Sequence, residues 1–313
     1  MTAHAVELSA ALLLCGCGGL AAVDGGYGGA VVDAGDAGDA GGAAPPIRCH
    51  TGFEARQDER GEWVCRVVEI YFEGGTFTMG QGYCWPPEEH AEEFADGRCQ
   101  LSDQPHERTV GPFYLDAVEV AGSQLFELGA WEGTPYGCAS LSLDCDWGNT
   151  AWLPEPAPSR DAALETCEAL GKTLPTEAQW ELAASGGGQR TYPWGDHPPT
   201  CDDAEYDEAN CGPPDAEVGS HPPSPEGVYD LAGSVAEFVL HEPEHYTESY
   251  PDTPFFDPKE CTGFEAPLST CHPEMVRGGD FRSGAGELRA AHRAMKPSWQ
   301  RDPVAGARCV RVP

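Results

Sequence analysis

The sequence predicts an α+β fold that is rich in loops and stapled by disulfides. Three observations support this prediction: short strand-like and helix-like segments that do not alternate regularly, 39 glycines and 28 prolines among 313 residues, and 14 cysteines. Strands mixed with a few helices, without β-α-β alternation, are typical of α+β proteins. Many glycines and prolines favour turns over long helices. So many cysteines indicate an oxidising compartment unless metals hold them.

The charge of the chain is strongly negative, with 52 Asp and Glu against 18 Lys and Arg and a formal net charge of −34. Nucleic-acid affinity depends on Lys and Arg that neutralise phosphates. We therefore expect no nucleic-acid partner.

Residues 1–17 resemble an export signal that ends in a lipobox. Their apolar stretch, Leu8 to Cys15, is too short to cross a bilayer. Gly16 directly before Cys17 resembles the lipobox of bacterial lipoproteins, so we expect Cys17 to carry a lipid that is the chain's only membrane attachment. Glu7, and the lack of Lys or Arg before the apolar stretch, depart from a typical signal. Ordinary secretion and a cytosolic N-terminus therefore remain alternatives.

Residues 18–47 consist mostly of Gly, Ala and Asp. Such a segment buries too little to offset its ordering entropy, so we expect a flexible tether. After a lipid-bearing cysteine, a tether would hold a folded domain away from the membrane surface. The N-terminus thus predicts an exported lipoprotein of the bacterial cell envelope.

Twelve cysteines follow Cys17, an even number that suits disulfides. They contain no C-x-x-C and no zinc-finger spacing, which argues against zinc. Sequence alone does not determine connectivity, but spacing suggests five close pairs, each closing one loop, and a sixth that ties a helix to the C-terminal end. The suggested pairs are Cys49/Cys65, Cys84/Cys99, Cys138/Cys145, Cys201/Cys211, Cys261/Cys271 and Cys167/Cys309.

A small disulfide-closed hairpin is predicted at residues 48–68, and the main domain at residues 69–313. Alternating apolar residues predict strands at 74–80 and 113–120.

Three helices are predicted to begin after Ser123, Ser159 and Thr176, whose hydroxyls can cap free amides. Gly171 is expected to end the second helix. Thr176 and Gln179 form the pattern of a capping box at the start of the third.

Eight stretches, in the right order, make residues 69–313 resemble the formylglycine-generating enzyme (sulfatase-modifying factor) family. The resemblance implies an irregular, loop-rich, C-type-lectin-like fold. The matching stretches are 74–80, 112–116 with 119–120, 174–181, 192–196, 227–238, 276–281, 288–293 and 306–309.

The resemblance also indicates which chemistry is missing. Enzymes of this family oxidise a cysteine of a sulfatase to formylglycine with oxygen and copper, and two cysteines after the Gly-Gly strand hold the metal. Soft thiolates are the ligands that suit Cu(I). The matching segment here, Gly278 to Arg289, contains no cysteine, and the hydroxyl of Ser283 cannot replace a thiolate. We therefore predict a non-oxidase member, a pseudoenzyme, without copper.

An enzyme of another type is the alternative. The sulfoxide synthases of ergothioneine biosynthesis share this fold and bind non-haem iron through three histidines, largely on an additional helical domain for which this chain has no room. His241 and His245 have metal-pair spacing, but Pro243 between them disfavours a regular helix. The alternative function is therefore an enzyme of the formylglycine-generating or non-haem oxidoreductase type with a non-cysteine active site in the same cleft.

A structural calcium site is implied by the same resemblance. By position, Asp230 and Glu237 would supply carboxylates, and Gly233 and Val235 would supply backbone carbonyls. Oxygen ligands on a Gly-containing loop suit Ca²⁺. The alternative is a tight turn with two exposed acids.

A ligand cleft is predicted in the basic C-terminal segment. Residues 277–313 carry eight Lys and Arg against three Asp and Glu. Arg289, Arg293 and Arg308 lie in family motifs, and we expect them to pair internally with acids.

Arg282 and Arg301 lie outside those motifs and are expected to line a surface cleft beside Ser283. We predict an envelope-tethered binding or structural protein whose partner is an envelope protein or a glycan. Exposed aromatic residues would then surround a cleft; the candidates, which suit a core equally well, are Trp131, Trp147, Trp152 and Trp299.

Overall fold

Several small sheets, rather than one large sheet, form the frame of the molecule. A computed structural model describes residues 47–81, 105–127, 152–207, 211, 216–240, 273–297 and 304–313. All of them belong to one compact unit, Pro45–Pro313. The described residues contain no helix that is long and apolar enough to span a membrane.

Eleven strands in the described ranges form four sheets. The strands are β1 Phe53–Gln57, β2 Trp63–Val67, β3 Glu69–Phe72, β4 Gly75–Met79, β5 His106–Val110, β6 Phe113–Asp116, β7 Ala236–Phe238, β8 Pro273–Arg277, β9 Ala294–Pro297, β10 Ala305–Gly306 and β11 Val310–Arg311. The sheet orders are β1-β2, β4-β5, β11-β6-β3 and β10-β7-β8-β9. All pairs are antiparallel except β10-β7.

The hairpin predicted at 48–68 is present as β1 and β2. Its turn is closed by Asp58, whose Oδ1 accepts the amides of Arg60 at 2.9 Å and Glu62 at 2.8 Å. Gly61 has φ +77°, a left-handed conformation that suits glycine. The Cys49–Cys65 disulfide closes the base of the hairpin.

Three α-helices are described: α1 Gly122–Glu127, α2 Arg160–Ala169 and α3 Glu177–Ser185. Ser159 caps α2 by accepting the amide of Ala162 at 3.2 Å. Thr176 and Gln179 cap each other's amides at the start of α3. Two of the three predicted caps, Ser159 and Thr176, are therefore confirmed, because each depends on residues three apart in sequence.

Two expectations about local structure were wrong. Helix α1 begins at Gly122, before Ser123, and the amide of Ala121 just ahead of it donates to Oε1 of Gln124 at 2.9 Å. Strand β6 ends at Asp116 rather than continuing to residue 120. Residues 117–120 are buried but donate amides to separated partners, including the carbonyls of Val68 and Ala307 at 2.8 Å each.

Helices α2 and α3 each bury side chains in a different hydrophobic cluster. One surrounds Trp180, which is fully buried and packs with Phe113, Met79 and Leu231. The other surrounds the Cys167–Cys309 disulfide, which ties α2 to the C-terminal segment. The Cys201–Cys211 pair is also formed. The remaining three suggested pairs, Cys84/Cys99, Cys138/Cys145 and Cys261/Cys271, lie outside the described residues.

Candidate functional site

A tight turn follows β8 and carries Ser283. Its amide donates to the carbonyl of Asp280 at 2.8 Å, and its hydroxyl accepts the Asp280 amide at 3.0 Å. Ser283 is 9% exposed, and its β-carbon packs on Gly279, where an added methyl group would come within 3.1 Å. The hydroxyl therefore closes the turn from inside rather than projecting from it.

Arg282 lies on the outside of the same turn. Half of its side chain is exposed, and its guanidinium pairs with Asp280 at 3.1 Å. The guanidinium carbon also lies 5.7 Å from the centre of the Phe281 ring. The structure thus brings Arg282 and Ser283 together, while Arg301 lies outside the described residues.

Two stacked aromatic residues pack against the segment that follows this turn. The rings of Tyr192 and Trp194 are 5.2 Å apart and nearly parallel. Both side chains pack on a small core cluster to which Leu288 belongs, and Ala285 packs on the same cluster. We call Tyr192, Trp194, Phe281 and Arg282 the recognition face; all four are partly or largely exposed.

The sequence did not single out this aromatic pair. Tyr192 and Trp194 lie in a matched stretch, but contact between that stretch and the segment after the Ser283 turn depends on tertiary packing. Of the four tryptophans considered for a cleft, Trp152 instead packs inward, with its ring 4.7 Å from His50 and 5.0 Å from Phe53. The other three, Trp131, Trp147 and Trp299, lie outside the described residues.

The residues predicted to bind calcium lie in a buried, tightly turned loop. Asp230 and Ser234 have φ +50° and +56°, which is uncommon for residues other than glycine. Gly233 has φ +78°, and a β-carbon there would lie 2.2 Å from the Glu205 carbonyl. The loop therefore needs glycine at this position, whether or not it binds a metal.

Both predicted carboxylates accept hydrogen bonds from protein donors. Glu237 accepts Trp180 Nε1 at 2.6 Å through Oε2, and Arg308 at 2.7 and 2.9 Å through Oε1. Asp230 accepts the Gly219 amide at 2.5 Å and lies 3.4 Å from Nδ1 of His221.

A third buried carboxylate, Glu119, lies beside Arg308 at 3.8 Å, and neither of its side-chain oxygens has a hydrogen-bond partner. Burial, followed by the negative charge of Asp230, raises the pKa of Glu119 well above its ordinary value. Burial alone would lower the pKa of the Arg308 guanidinium, but the nearby acids Glu237, Glu119 and Asp230 together raise it. The arginine is the countercharge of this acidic cluster.

These contacts decide how well the residues suit calcium. Within the described ranges, no group of three or more His, Cys, Asp or Glu side chains is arranged to hold a metal ion. The Glu237 oxygens are already bonded to Trp180 and to a cation, which is an unfavourable neighbour for Ca²⁺. The donor set fits calcium poorly as it stands, and calcium binding remains a prediction.

Arg293 and Arg308 pair with acids as expected. Arg293 donates to Glu177 at 2.6 Å, and Arg308 bonds Glu237 as described above. Arg289 is buried and donates to the Gly286 carbonyl at 2.9 Å.

Disulfide bonding leaves the described cysteines without the free thiols that copper chemistry needs. The six described cysteines are Cys49, Cys65, Cys167, Cys201, Cys211 and Cys309, and all six are in disulfides. In this part of the chain no thiolate is therefore available to bind Cu(I).

Comparison with protein families identifies the type of domain. A family model described as the sulfatase-modifying factor enzyme 1-like domain matches residues 66–313. A 146-residue stretch is 34% identical to serine/threonine-protein kinase pkn1 of Chlamydia pneumoniae and covers 46% of this chain and 22% of that protein. The formylglycine-generating enzyme of Mycobacterium tuberculosis is 29% identical over 138 residues, which cover 39% of this chain and 43% of that enzyme. The chain thus spans under half the length of either relative.

Two solved structures share the fold. Treponema denticola variable protein 1 is 17% identical, with a TM-score of 0.54, covering 83% of this chain and 99% of that one. PvdO from Pseudomonas aeruginosa is 20% identical, with a TM-score of 0.53, covering 85% and 99%. At these identities the likeness establishes the fold alone, and it confirms the irregular, disulfide-stapled α+β fold predicted from the sequence.

Proposed function

Because this chain belongs to the sulfatase-modifying factor enzyme 1-like domain family, we propose that it is a binding module of that family without cysteine-oxidase chemistry. In this proposal a lipid on Cys17 holds the module at the bacterial cell envelope, and residues 18–47 separate it from the membrane. Its partner is an envelope protein or a glycan.

The observation that carries the proposal is the state of the Gly278–Arg289 segment. It contains no cysteine, and Ser283 uses its hydroxyl to close its own turn. The described cysteines are all disulfide-bonded. Both facts support the loss of copper chemistry, since an alcohol and a disulfide are poor ligands for Cu(I).

The recognition face supports the binding half of the proposal. Tyr192 and Trp194 are stacked and partly exposed, and aromatic residues are enriched in binding surfaces because they lose little side-chain entropy on binding. Arg282 lies on the turn that leads into the Ala285–Leu288 segment, which packs on the same cluster as these rings, and its pairing with Asp280 holds it in place. Fold alone does not determine a ligand, so the partner must be identified by experiment.

Oxidase activity is tested with a reduced, cysteine-containing sulfatase peptide, oxygen and copper. We expect mass spectrometry to find no conversion of the peptide cysteine to formylglycine and no Cu(I) retained against a chromogenic chelator. A formylglycine-generating enzyme treated in parallel is the positive control. Conversion of the peptide would refute the proposal and favour the enzyme alternative.

Binding is tested by affinity capture from envelope extract of the source organism. Wild-type protein is compared with Trp194→Ala and Arg282→Ala, and with Glu168→Ala, an exposed position on α2, as the control. We expect a specific partner that the first two variants lose and the control keeps. Equal capture by all four proteins would exclude the recognition face as the binding surface.

Membrane attachment is tested by the Cys17→Ser variant. We expect fatty-acid labelling to disappear and the protein to move from the membrane fraction to the soluble fraction. Labelling that survives the substitution would exclude Cys17 as the lipid site.

A further inference from the structure

A concave surface that shares no residue with the recognition face lies between the β1-β2 hairpin and the β11-β6-β3 sheet. We call it the hairpin cleft; its volume is about 770 Å³. Ligand sites in proteins commonly have volumes of this order. Its lining residues are Arg56, Gln57, Asp58, Glu59, Arg60, Cys65, Arg66, Val67, Glu69, Tyr114, Gln124, Leu170, Lys172 and Arg311.

The hairpin cleft carries more positive than negative side chains, although the chain as a whole is strongly negative. Five of the 18 Lys and Arg of the whole sequence line it, together with three acids, although the chain as a whole carries −34. Cations concentrated on one concave surface of an acidic protein attract anions locally.

One of the three acids is already neutralised within the protein. Glu69 accepts Arg311 through both carboxylate oxygens at 2.6 to 3.3 Å, and Lys172 lies 3.0 Å from it. Burial alone would raise the pKa of Glu69, but the hydrogen bonds and charges of Arg311 and Lys172 outweigh it and hold that pKa below its ordinary value. Glu69 therefore stays ionised and paired, and does not repel an anion as a lone carboxylate would.

The hairpin supplies the accessible cations. Arg56, Arg60 and Arg66 are all exposed. Arg56 contacts Glu54 through Nε at 2.6 Å and through Nη2, and 66% of its side chain stays exposed. Arg60 forms no ion pair with a described residue, and its backbone amide is anchored on Asp58.

The cleft is already shaped before any ligand arrives. The Cys49–Cys65 disulfide and the closed Asp58 turn hold the hairpin, and the guanidinium of Arg311 lies 3.9 Å from the centre of the Tyr114 ring. Preorganised walls reduce the entropy that binding must overcome.

We propose that the hairpin cleft binds a short acidic oligosaccharide through its carboxylate or sulfate groups. Three of the five cations, Arg56, Arg60 and Arg66, are exposed arginines, and the planar guanidinium of arginine can match these anions with two hydrogen bonds. The side-chain amides of Gln57 and Gln124 and the hydroxyl of Tyr114 can bond sugar hydroxyls. The lining offers few apolar anchors besides Val67 and Leu170, which disfavours a peptide. We expect a short ligand, because a longer acidic chain would extend beyond the cleft and be repelled by the acidic protein around it.

This inference rests on the proposed function as a binding module and adds a second site to it. The purified full-length chain is titrated calorimetrically in about 0.15 M NaCl, where screening limits long-range effects. The probes are hexagalacturonate, which carries carboxylates, and a sulfated heparin hexasaccharide. Neutral maltohexaose and hexaglutamate serve as controls. We expect at least one acidic hexasaccharide to bind, and maltohexaose not to bind.

The variant that tests the site is Arg60→Ala/Arg66→Ala, with Arg48→Ala as the matched control because Arg48 is exposed but does not line the cleft. The double variant is expected to weaken binding about tenfold or more, since it removes charge-assisted hydrogen bonds to the anion. Arg60→Lys/Arg66→Lys keeps the positive charges but removes the paired guanidinium donors. We expect its affinity to lie between those of wild type and the double alanine variant.

Several outcomes would overturn the proposal: no binding of either acidic sugar, equal binding of maltohexaose, tighter binding of hexaglutamate, or binding that the double alanine variant leaves unchanged. Thermal melts of each variant verify folding. Trp194→Ala separates this site from the recognition face. It should abolish partner capture and leave sugar binding intact, so failure of one site is distinguishable from failure of the other.

Discussion

At the scale of single residues, the buried charged side chains give the clearest predictions about stability. Arg277 is fully buried between two acids of α3, bonded to Glu181 at 2.5 Å and lying 3.7 Å from Glu177. Its guanidinium also lies 5.2 Å from the centre of the Trp180 ring. Removing Arg277 would leave the Glu181 carboxylate buried without its countercharge, whereas Glu177 would keep Arg293.

We expect Arg277→Met to lower the free energy of unfolding by about 3–5 kcal/mol. Arg56→Met is the matched control, because Arg56 pairs with Glu54 in solvent and exposed pairs contribute at most about 1 kcal/mol. Urea unfolding measures both. Equal losses would show that the buried arginine is not needed for stability.

Asp116 should make stability depend on pH. It is 1% exposed, and burial raises its pKa to about 6, although Lys172 at 2.5 Å opposes this shift. Between pH of about 4 and 6 the folded state therefore holds a proton that the unfolded state has lost. Its contribution to stability is present below about pH 4 and is lost as the pH rises through 6.

The test is Asp116→Asn, which cannot ionise. The unfolding free energy of the variant, measured relative to that of wild type, should rise by about 2–3 kcal/mol as the pH goes from 4 to 7. One pKa unit corresponds to about 1.4 kcal/mol. Urea unfolding at the two pH values measures the difference. If the stability difference between variant and wild type were the same at both pH values, or if the variant were the less stable protein at pH 7, the Lys172 ion pair would outweigh the cost of burying Asp116.

At the scale of elements, disulfides and caps hold together segments that are too short to be stable alone. Helices α2 and α3 contain 10 and 9 residues, lengths at which an isolated helix is marginal. Each begins with a side-chain cap, and α2 is also tied by Cys167–Cys309 to the C-terminal segment. Helical structure here depends on these fixed ends and on tertiary packing.

Replacing Cys167 and Cys309 with alanine should lower the free energy of unfolding by about 2–5 kcal/mol. The pair closes a separation of 142 residues, against 16 for Cys49 and Cys65, and longer loops lose more entropy on closure in the chain-entropy model. Denaturant unfolding of both double variants measures the contrast. A smaller loss for Cys167/Cys309 would contradict that model here.

At the scale of the whole molecule, the loop from Asp230 to Glu237 joins distant segments. Within it, the Gly233 amide donates to the Gly278 carbonyl and the Ala236 amide to the Val304 carbonyl. Anything that loosens this loop should therefore affect the stability of the domain as a whole.

The calcium prediction is tested at this scale. If the loop binds calcium, EDTA should lower the melting temperature, and Asp230→Ala should abolish the difference, because a ligand that binds the folded state stabilises it. Differential scanning calorimetry with and without added calcium is the measurement. An unchanged melting temperature in EDTA would exclude the site, as the occupied oxygens of Glu237 already suggest.

The sequence by itself determined the features that depend on neighbouring residues or on composition. The capping of α2 and α3, the hairpin closed by Cys49 and Cys65, and the lack of a cysteine in the Gly278–Arg289 segment all follow from short-range patterns. The family and its fold were also predictable, because eight short motifs occur in order.

Only the tertiary structure decided which charges and rings meet. Glu237 bonds Arg308, 71 residues away, and Arg311 bonds Glu69 across 242 residues. The hairpin cleft combines arginines from β2 and β11 that no sequence spacing connects. The direction of the Ser283 hydroxyl likewise depends on a turn whose closure is visible only in three dimensions. Such contacts depend on packing between distant segments, which local patterns in the sequence do not encode.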